Sequence, residues 1–139
     1  MGLLARREHT KRELILKLRA RSCPDEIIYK VVDALAEEGM QSDARFAETF
    51  VRNRIDRGAG PLRIRAEMMA RGCDDEIIED TLKHFSEWWK DLAVEVYQKR
   101  YGKESEPEDF QEKSKRMHFL QSRGFTSEQI QYALDNSSE

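Results

Sequence analysis

The string RSCPDEII, over Arg21–Ile28, occurs in three related copies along this chain of 139 residues. It returns as RGCDDEII over Arg71–Ile78 and as RGFTSEQI over Arg123–Ile130, at offsets of 50 and 52 residues. Apolar residues keep the same register, with Leu18, Met68 and Leu120 three positions before the arginine and Val32, Leu82 and Leu134 eleven after it. Three copies at matching spacing predict a tandem repeat of about 50 residues, in which neighbouring units bury a shared core.

Each copy has the pattern of a helix, a tight turn and a second helix. In the first copy a buried helical stripe is indicated by apolar residues three and four apart, namely Leu14, Leu18, Ile28, Val31, Val32 and Leu35. In the third copy Thr126 and Gln129 have the spacing of a capping box, and Phe125 and Ile130 that of a hydrophobic staple.

The turn between these two helices needs one residue in the left-handed conformation. Gly72 and Gly124 suit that position after the end of a helix, and Ser22 fills it in the first copy. The same register places Cys23 against Ile28 and Cys73 against Ile78. We therefore expect both cysteines to pack in the core and not to act in catalysis or metal binding.

A further helix precedes each such pair. Ser42 can cap a helix over 43–57, which Gly58-Ala59-Gly60 ends before Pro61 opens the next. The inner faces of the leading helices are predicted at Phe46, Phe50 and Val51 for this one, and at Trp88, Trp89, Leu92, Ala93, Val96 and Tyr97 for a helix over 87–101. The leading helix of the first unit is expected to be short, over 3–9.

The predicted fold is therefore all-α, with three tandem three-helix repeats over 1–40, 41–86 and 87–136 that form an elongated, curved array. The composition agrees, because 37% charged residues with only 7 Gly and 3 Pro favour amphipathic helices. No apolar run approaches the length of a membrane span, and two cysteines cannot form a disulfide framework. We expect a cytoplasmic protein that does not bind membranes and is a monomer.

The sequence contains no recognisable catalytic constellation. His9, His84 and His118 are scattered, and neither a zinc-protease motif nor a phosphate-binding glycine loop is present. The acidic run Asp74–Glu76 begins a predicted helix, where carboxylates favour the helix dipole for structural reasons. The prediction is a binding protein that is not an enzyme and uses no cofactor or metal.

Charge is unevenly distributed along the chain. Residues 1–73 hold 15 Lys and Arg against 11 Asp and Glu, whereas residues 74–139 hold 9 against 16. Arginine is preferred over lysine in 44–72, which suits bidentate binding of phosphate or carboxylate, although solvated helix faces remain an alternative. The candidate binding residues are Arg52, Arg54, Arg57, Arg63 and Arg65, followed by Arg6, Arg7, Lys11 and Arg12.

With the repeats and the arginine-rich turn identified, the sequence resembles the RecX family. The resemblance rests on LARREHT over Leu4–Thr10, DARFA over Asp43–Ala47 and RGAGPLRIRAE over Arg57–Glu67, and it spans essentially the whole chain. Weaker support comes from WWKDLA over Trp88–Ala93 with KRYG over Lys99–Gly102, and from FLQSRGF over Phe119–Phe125.

The resemblance implies a regulator of the RecA recombinase. Such proteins bind RecA, lie along the groove of its filament on single-stranded DNA, and suppress filament extension, ATPase, strand exchange and coprotease activity without being enzymes. The nine basic residues named above are then the expected contacts with the filament or with DNA, and weak direct binding of nucleic acid is also expected.

The alternative is a direct DNA-binding helix-turn-helix protein. The acids Asp25 and Glu26, and their counterparts at 74–76, argue against it because they open the helix that would approach phosphate.

Overall fold

The computed structural model describes residues 8–39 and 41–136, and all regular secondary structure in these ranges is helical. The helices are α1 (Lys11–Ala20), α2 (Asp25–Glu37), α3 (Asp43–Asp56), α4 (Pro61–Ala70), α5 (Asp75–His84), α6 (Trp89–Tyr101), α7 (Phe110–Ser122) and α8 (Ser127–Asn136). The all-α prediction is confirmed.

The same hydrogen-bonded turn ends the middle helix of every repeat. Ser22, Gly72 and Gly124 have φ values of 62°, 91° and 100°, so all three adopt the left-handed conformation predicted for them. In each turn the amide of the following residue, Cys23, Cys73 or Phe125, donates to the carbonyl oxygen five positions earlier, at Leu18, Met68 or Leu120. This pairing satisfies the carbonyl groups at the helix end and directs the chain into the next helix.

The predicted helix caps are present. The Gln129 amide donates to Thr126 Oγ1 at 3.3 Å, and the Thr126 amide donates to Gln129 Oε1 at 3.0 Å, which completes a capping box. The Arg45 amide donates to Ser42 Oγ at 3.1 Å at the start of α3. These bonds satisfy amides that a helix start would otherwise leave unpaired.

The chain forms two compact units, and each has its own core. The first unit consists of Met1–Phe50 with Glu67–Thr81, and the second of Val51–Ala66 with Leu82–Glu139. Residues that are at most 1% exposed include Leu14, Ile28, Val32, Met68 and Ile78 in the first unit, and Val51, Ile64, Ala93, Leu120, Phe125 and Ala133 in the second. The unit boundaries pass through α3, α4 and α5, so these three helices contribute to both cores.

Most of the predicted inner faces are buried, with two exceptions. Phe46, Phe50, Val51 and Trp89 lie in the cores, but Val31 is 40% exposed and Trp88 is 54% exposed. Neighbouring helical positions differ by about 100° around the axis, so the inward position taken by Trp89 directs Trp88 away. By the same geometry, burial of Ile28 and Val32 on α2 leaves Val31 outside.

Two predicted helix boundaries also differ from the structure. Helix α6 begins at Trp89, because 85–88 form a turn, and α3 ends at Asp56. The predicted leading helix over 3–9 does not include 8–9, which are not helical, and its other residues lie outside the described ranges.

The segment that joins α6 to α7 is held in place by a buried cation, Arg116. Arg116 is 4% exposed and donates to Tyr97 Oη at 2.8 Å, to Glu112 Oε1 at 3.0 Å and to the Ser105 carbonyl oxygen at 3.0 Å. Burial alone would lower the pKa of this guanidinium, but its bonds with Tyr97 and Glu112 more than offset that and leave its pKa raised. Arg116 is therefore a charged residue with a structural role.

Candidate functional site

The five arginines predicted for binding lie on the end of α3 and the start of α4, and all belong to the second unit. Arg52, Arg57 and Arg63 are exposed, whereas Arg54 and Arg65 are half-buried. Asp56 is the one acid in this part of the unit, over 51–66, so the segment carries a strong local positive charge.

The turn between α3 and α4 is fixed by contact with the third repeat. The Gly60 amide donates to the Arg123 carbonyl oxygen at 2.7 Å, and the Leu62 amide donates to the Gly124 carbonyl oxygen at 2.9 Å. A Cβ atom at Gly60 would lie 2.5 Å from the Gly124 carbonyl carbon, so only glycine allows this approach. The glycine and proline of RGAGP are thus structural, and they hold the flanking arginines on a fixed frame.

Local contacts orient two of these arginines. The guanidinium of Arg52 lies 5.8 Å from the centroid of the Phe85 ring, a cation–π arrangement. Arg54 Nη1 donates to the side-chain oxygen of Asn53 at 2.8 Å. The partners in these two contacts, Phe85 and Asn53, are uncharged.

A cavity of about 240 Å³ in the second unit brings Arg57 together with cations from one other helix, α6, and from the turn after α7. Its charged lining residues are Arg57, Lys99, Arg100, Arg123, Asp56 and Glu95. Four cations against two acids make this cavity a candidate site for a phosphate or carboxylate group. The linear sequence did not indicate Lys99, Arg100 or Arg123 as site residues, because packing of distant segments brings them beside Arg57.

The fold redistributes the charge that the chain halves show. Among the described residues the first unit holds 8 Lys and Arg against 15 Asp and Glu, and the second holds 14 against 11. The excess of positive charge expected for the N-terminal half is therefore not a property of the first unit. Among the described residues the excess belongs to the second unit, which contains the five arginines of 51–66.

The remaining predicted binding residues belong elsewhere. Lys11 and Arg12 are exposed on α1 in the first unit, and Arg6 and Arg7 lie outside the described residues. Arg12 is also a packing residue, since Cδ of its side chain would be 2.6 Å from a Cβ at Gly72 and its Nη1 lies 3.5 Å from the Ala70 carbonyl oxygen. Lys11 and Arg12, the described members of this cluster, therefore belong to a different unit from the five arginines of 52–65.

Other types of site have less support in the described residues. No group of three or more His, Cys, Asp or Glu side chains in 8–39 and 41–136 could hold a metal ion. Burial, with smaller contributions from nearby carboxylates, raises the pKa of the Cys73 thiol to about 11, which opposes nucleophilic use. None of the helices in these ranges is long and apolar enough to span a bilayer.

Comparisons of the chain with known proteins all found similarity to the same family. Three family profiles match the chain, "RecX, first three-helix domain" over residues 1–35, "RecX, second three-helix domain" over 42–82 and "RecX, third three-helix domain" over 90–134. The chain is 46% identical to the regulatory protein RecX of Chromohalobacter salexigens, over 99% of this chain and 89% of the relative. It is 43% identical to that of Halorhodospira halophila, over 100% of this chain and 86% of the relative.

Solved structures show the same fold. The crystal structure of RecX from Lactobacillus salivarius aligns with a TM-score of 0.87 and 22% identity, over 98% of this chain and 90% of that chain. A second crystal structure, of a regulatory protein RecX, aligns with a TM-score of 0.82 and 24% identity, over 97% of this chain and 68% of that chain.

Proposed function

Because the chain belongs to the RecX family of regulatory proteins, we propose that it binds the RecA filament on single-stranded DNA and inhibits it without acting as an enzyme. In this proposal the protein lies along the filament groove and limits filament extension, ATP hydrolysis, strand exchange and coprotease activity. It acts in the cytoplasm as a monomer and needs no cofactor.

The observation that carries the proposal is the basic surface of the second unit. We define this surface by the exposed or cavity-lining cations Arg52, Arg57, Arg63, Lys99, Arg100 and Arg123. Its guanidinium groups can pair with phosphates of the DNA or with carboxylates of the recombinase, and each good pair is bidentate. The rigid turn at Gly60 limits the conformational entropy that the flanking residues lose on binding.

Arg54 and Arg65, together with Arg6, Arg7, Lys11 and Arg12, remain proposed contacts of secondary importance. Arg54 and Arg65 are half-buried, which limits the area that they can offer to a partner. Lys11 and Arg12 lie in the unit that carries an excess of acidic residues. Direct helix-turn-helix recognition of duplex DNA is the second candidate function, and Asp25, Glu26 and Asp75 at the starts of α2 and α5 disfavour it.

ATP hydrolysis by RecA on single-stranded DNA provides the first test. We expect the purified protein to lower the hydrolysis rate at substoichiometric amounts and low salt. No inhibition across a broad titration would contradict the proposal. Tight, sequence-specific binding to a short duplex at physiological salt, in the absence of RecA, would favour the second candidate instead.

A double charge reversal then tests the basic surface. Arg57→Glu with Arg63→Glu should keep helical content and the melting temperature, because both side chains are exposed. The double variant should abolish inhibition, because it reverses two charges of the basic surface. The matched control is Arg21→Glu with Lys30→Glu, which changes the net charge equally on exposed positions of the first unit. Unfolding of the double variant would assign these arginines a structural role.

A further inference from the structure

One large aromatic side chain of the second unit, that of Trp88, belongs neither to the core nor to the basic surface defined above. The chain has two tryptophans, adjacent in sequence, and their environments differ sharply. Trp89 is 5% exposed and packs in the core, whereas Trp88 is 54% exposed. The exposed indole offers a large apolar face with a polar N–H to a binding partner.

The Trp88 ring is held on a rigid base. The Trp88 amide donates to the Phe85 carbonyl oxygen at 2.9 Å, and the Trp88 carbonyl oxygen accepts from the Leu92 amide at 2.9 Å. Its ring contacts the Phe85 ring at 5.6 Å between centroids, with an interplanar angle of 89°. Phe85 is itself buried, so the exposed ring rests on the core.

A guanidinium group completes the cluster. Arg52 lies 5.8 Å from the centroid of the same Phe85 ring, so Phe85 connects the exposed indole to the arginine-rich end of α3. Sites for single-stranded nucleic acid combine these two elements, an aromatic face on which a base stacks and cations that follow the phosphate backbone. Glu87 and Asp91 are exposed acids near Trp88 in sequence, so a phosphate backbone is expected to pass nearer to Arg52 than to them.

We propose that Trp88 is a stacking platform for a base of single-stranded DNA, and that Arg52, which contacts the same Phe85 ring, binds the phosphate backbone. The inference rests on the proposed function, in which the protein binds RecA filaments that contain single-stranded DNA. It identifies Trp88 as a residue that contacts this DNA. Stacking is indifferent to base identity, which suits a regulator that must act along any sequence. A protein-binding hot spot would instead place the ring at the centre of a desolvated patch, whereas Trp88 is 54% exposed and follows the exposed acid Glu87.

The test compares two oligonucleotides with the same phosphates, oligo(dT) and a fully abasic chain of equal length, with the full chain and no RecA. The wild type should bind oligo(dT) roughly 5- to 150-fold more tightly than the abasic chain, the range expected for one stacked base. Binding should quench the tryptophan emission, since Trp88 is the more exposed of the two tryptophans.

Variants assign this preference to the ring. Trp88→Ala should bind both oligonucleotides with equal affinity, and Trp88→Phe should keep part of the preference. Leu62→Ala, another exposed apolar position of the second unit, should behave as the wild type. Circular dichroism and melting should be unchanged in all three, because the altered side chains are exposed.

Two results would overturn the inference. The first is equal or absent binding of both oligonucleotides by the wild type, and the second is a preference for bases that survives in Trp88→Ala. Loss of RecA inhibition in Trp88→Ala together with the first result would assign the ring to a protein contact. Inhibition of RecA by the wild type is measured separately, so failure here is distinct from failure of the proposed function.

Discussion

The two junctions between successive repeats achieve the same contact with different chemistry. At the first junction Thr10, the N-cap of α1, donates its hydroxyl to the Arg71 carbonyl oxygen at 2.7 Å. At the second, Gly60 donates its backbone amide to the Arg123 carbonyl oxygen at 2.7 Å. Arg71 and Arg123 are equivalent positions of the repeat. A side-chain donor leaves room for other residues, whereas a backbone donor at this distance excludes a Cβ, so the second junction constrains its sequence more strictly.

The largest effect is expected from the core beneath the first junction. Phe50 is 7% exposed, stacks on Phe46 with centroids 5.6 Å apart, and lies under the Arg71 guanidinium at 5.0 Å. Phe50→Ala should lower the free energy of unfolding by about 3–5 kcal/mol, because it leaves a cavity in the first unit. Urea denaturation measures this change, and an unaltered transition would mean that Phe50 is not part of the core.

Gly60→Ala should break the second junction. The added Cβ would meet backbone atoms of Gly124 and Phe125, which cannot move aside as the end of a flexible side chain can. Overpacking together with loss of the Arg123 bond should cost about 3 kcal/mol. The control is Gly39→Ala, where no atom lies within 4 Å of the added Cβ and only the positive φ opposes the change. Equal losses in the two variants, measured by thermal melting, would contradict the account of this junction.

Thr10→Ala should break the first junction at a smaller cost. Thr10 is fully buried, and its hydroxyl accepts from the Glu13 amide at 3.1 Å while it donates to Arg71. Loss of both bonds should destabilise by about 2 kcal/mol. Thr10→Ser retains the hydroxyl and should cost much less. If both variants unfold at the same denaturant concentration, the methyl group and not the hydroxyl holds this junction.

The cysteines at equivalent turn positions give the smallest effect. Cys73 is 7% exposed, and burial raises the pKa of its thiol to about 11, whereas Cys23 is half-buried. At pH 8 a thiol reagent should therefore label Cys23 faster than Cys73, which mass spectrometry can follow. The ordinary value for the thiol is 9.0, so the unfolded chain ionises first and the free energy of unfolding should fall as pH rises from 9.0 towards about 11. Cys73→Ala should flatten this dependence, and an unchanged slope would contradict the assignment.

Much of the fold could be predicted from the sequence because local rules determine it. The turns at Ser22, Gly72 and Gly124 follow from a repeated residue pattern, and the caps at Ser42 and Thr126 from spacing of three residues. Periodicity could not choose between Trp88 and Trp89, since either can face inward until the neighbouring helices are placed.

Fewer residues of the candidate site could be predicted from the sequence. Arginine preference in 44–72 indicated Arg57 and Arg63, but the convergence of Lys99, Arg100 and Arg123 on Arg57 depends on tertiary packing. The charge balance of each unit could not be predicted either, because the units combine segments that are distant in sequence. A charge balance over chain halves therefore differs from the charge balance of the two units.

Hydrogen exchange of the full chain, with and without RecA filaments on single-stranded DNA, tests most directly whether the second unit provides the binding surface. The account predicts that filaments slow exchange in peptides from the second unit that contain Arg57–Arg65 and Lys99–Arg100, and leave α2 of the first unit unchanged. Slower exchange confined to the first unit, or no change anywhere under conditions where RecA is inhibited, would contradict it.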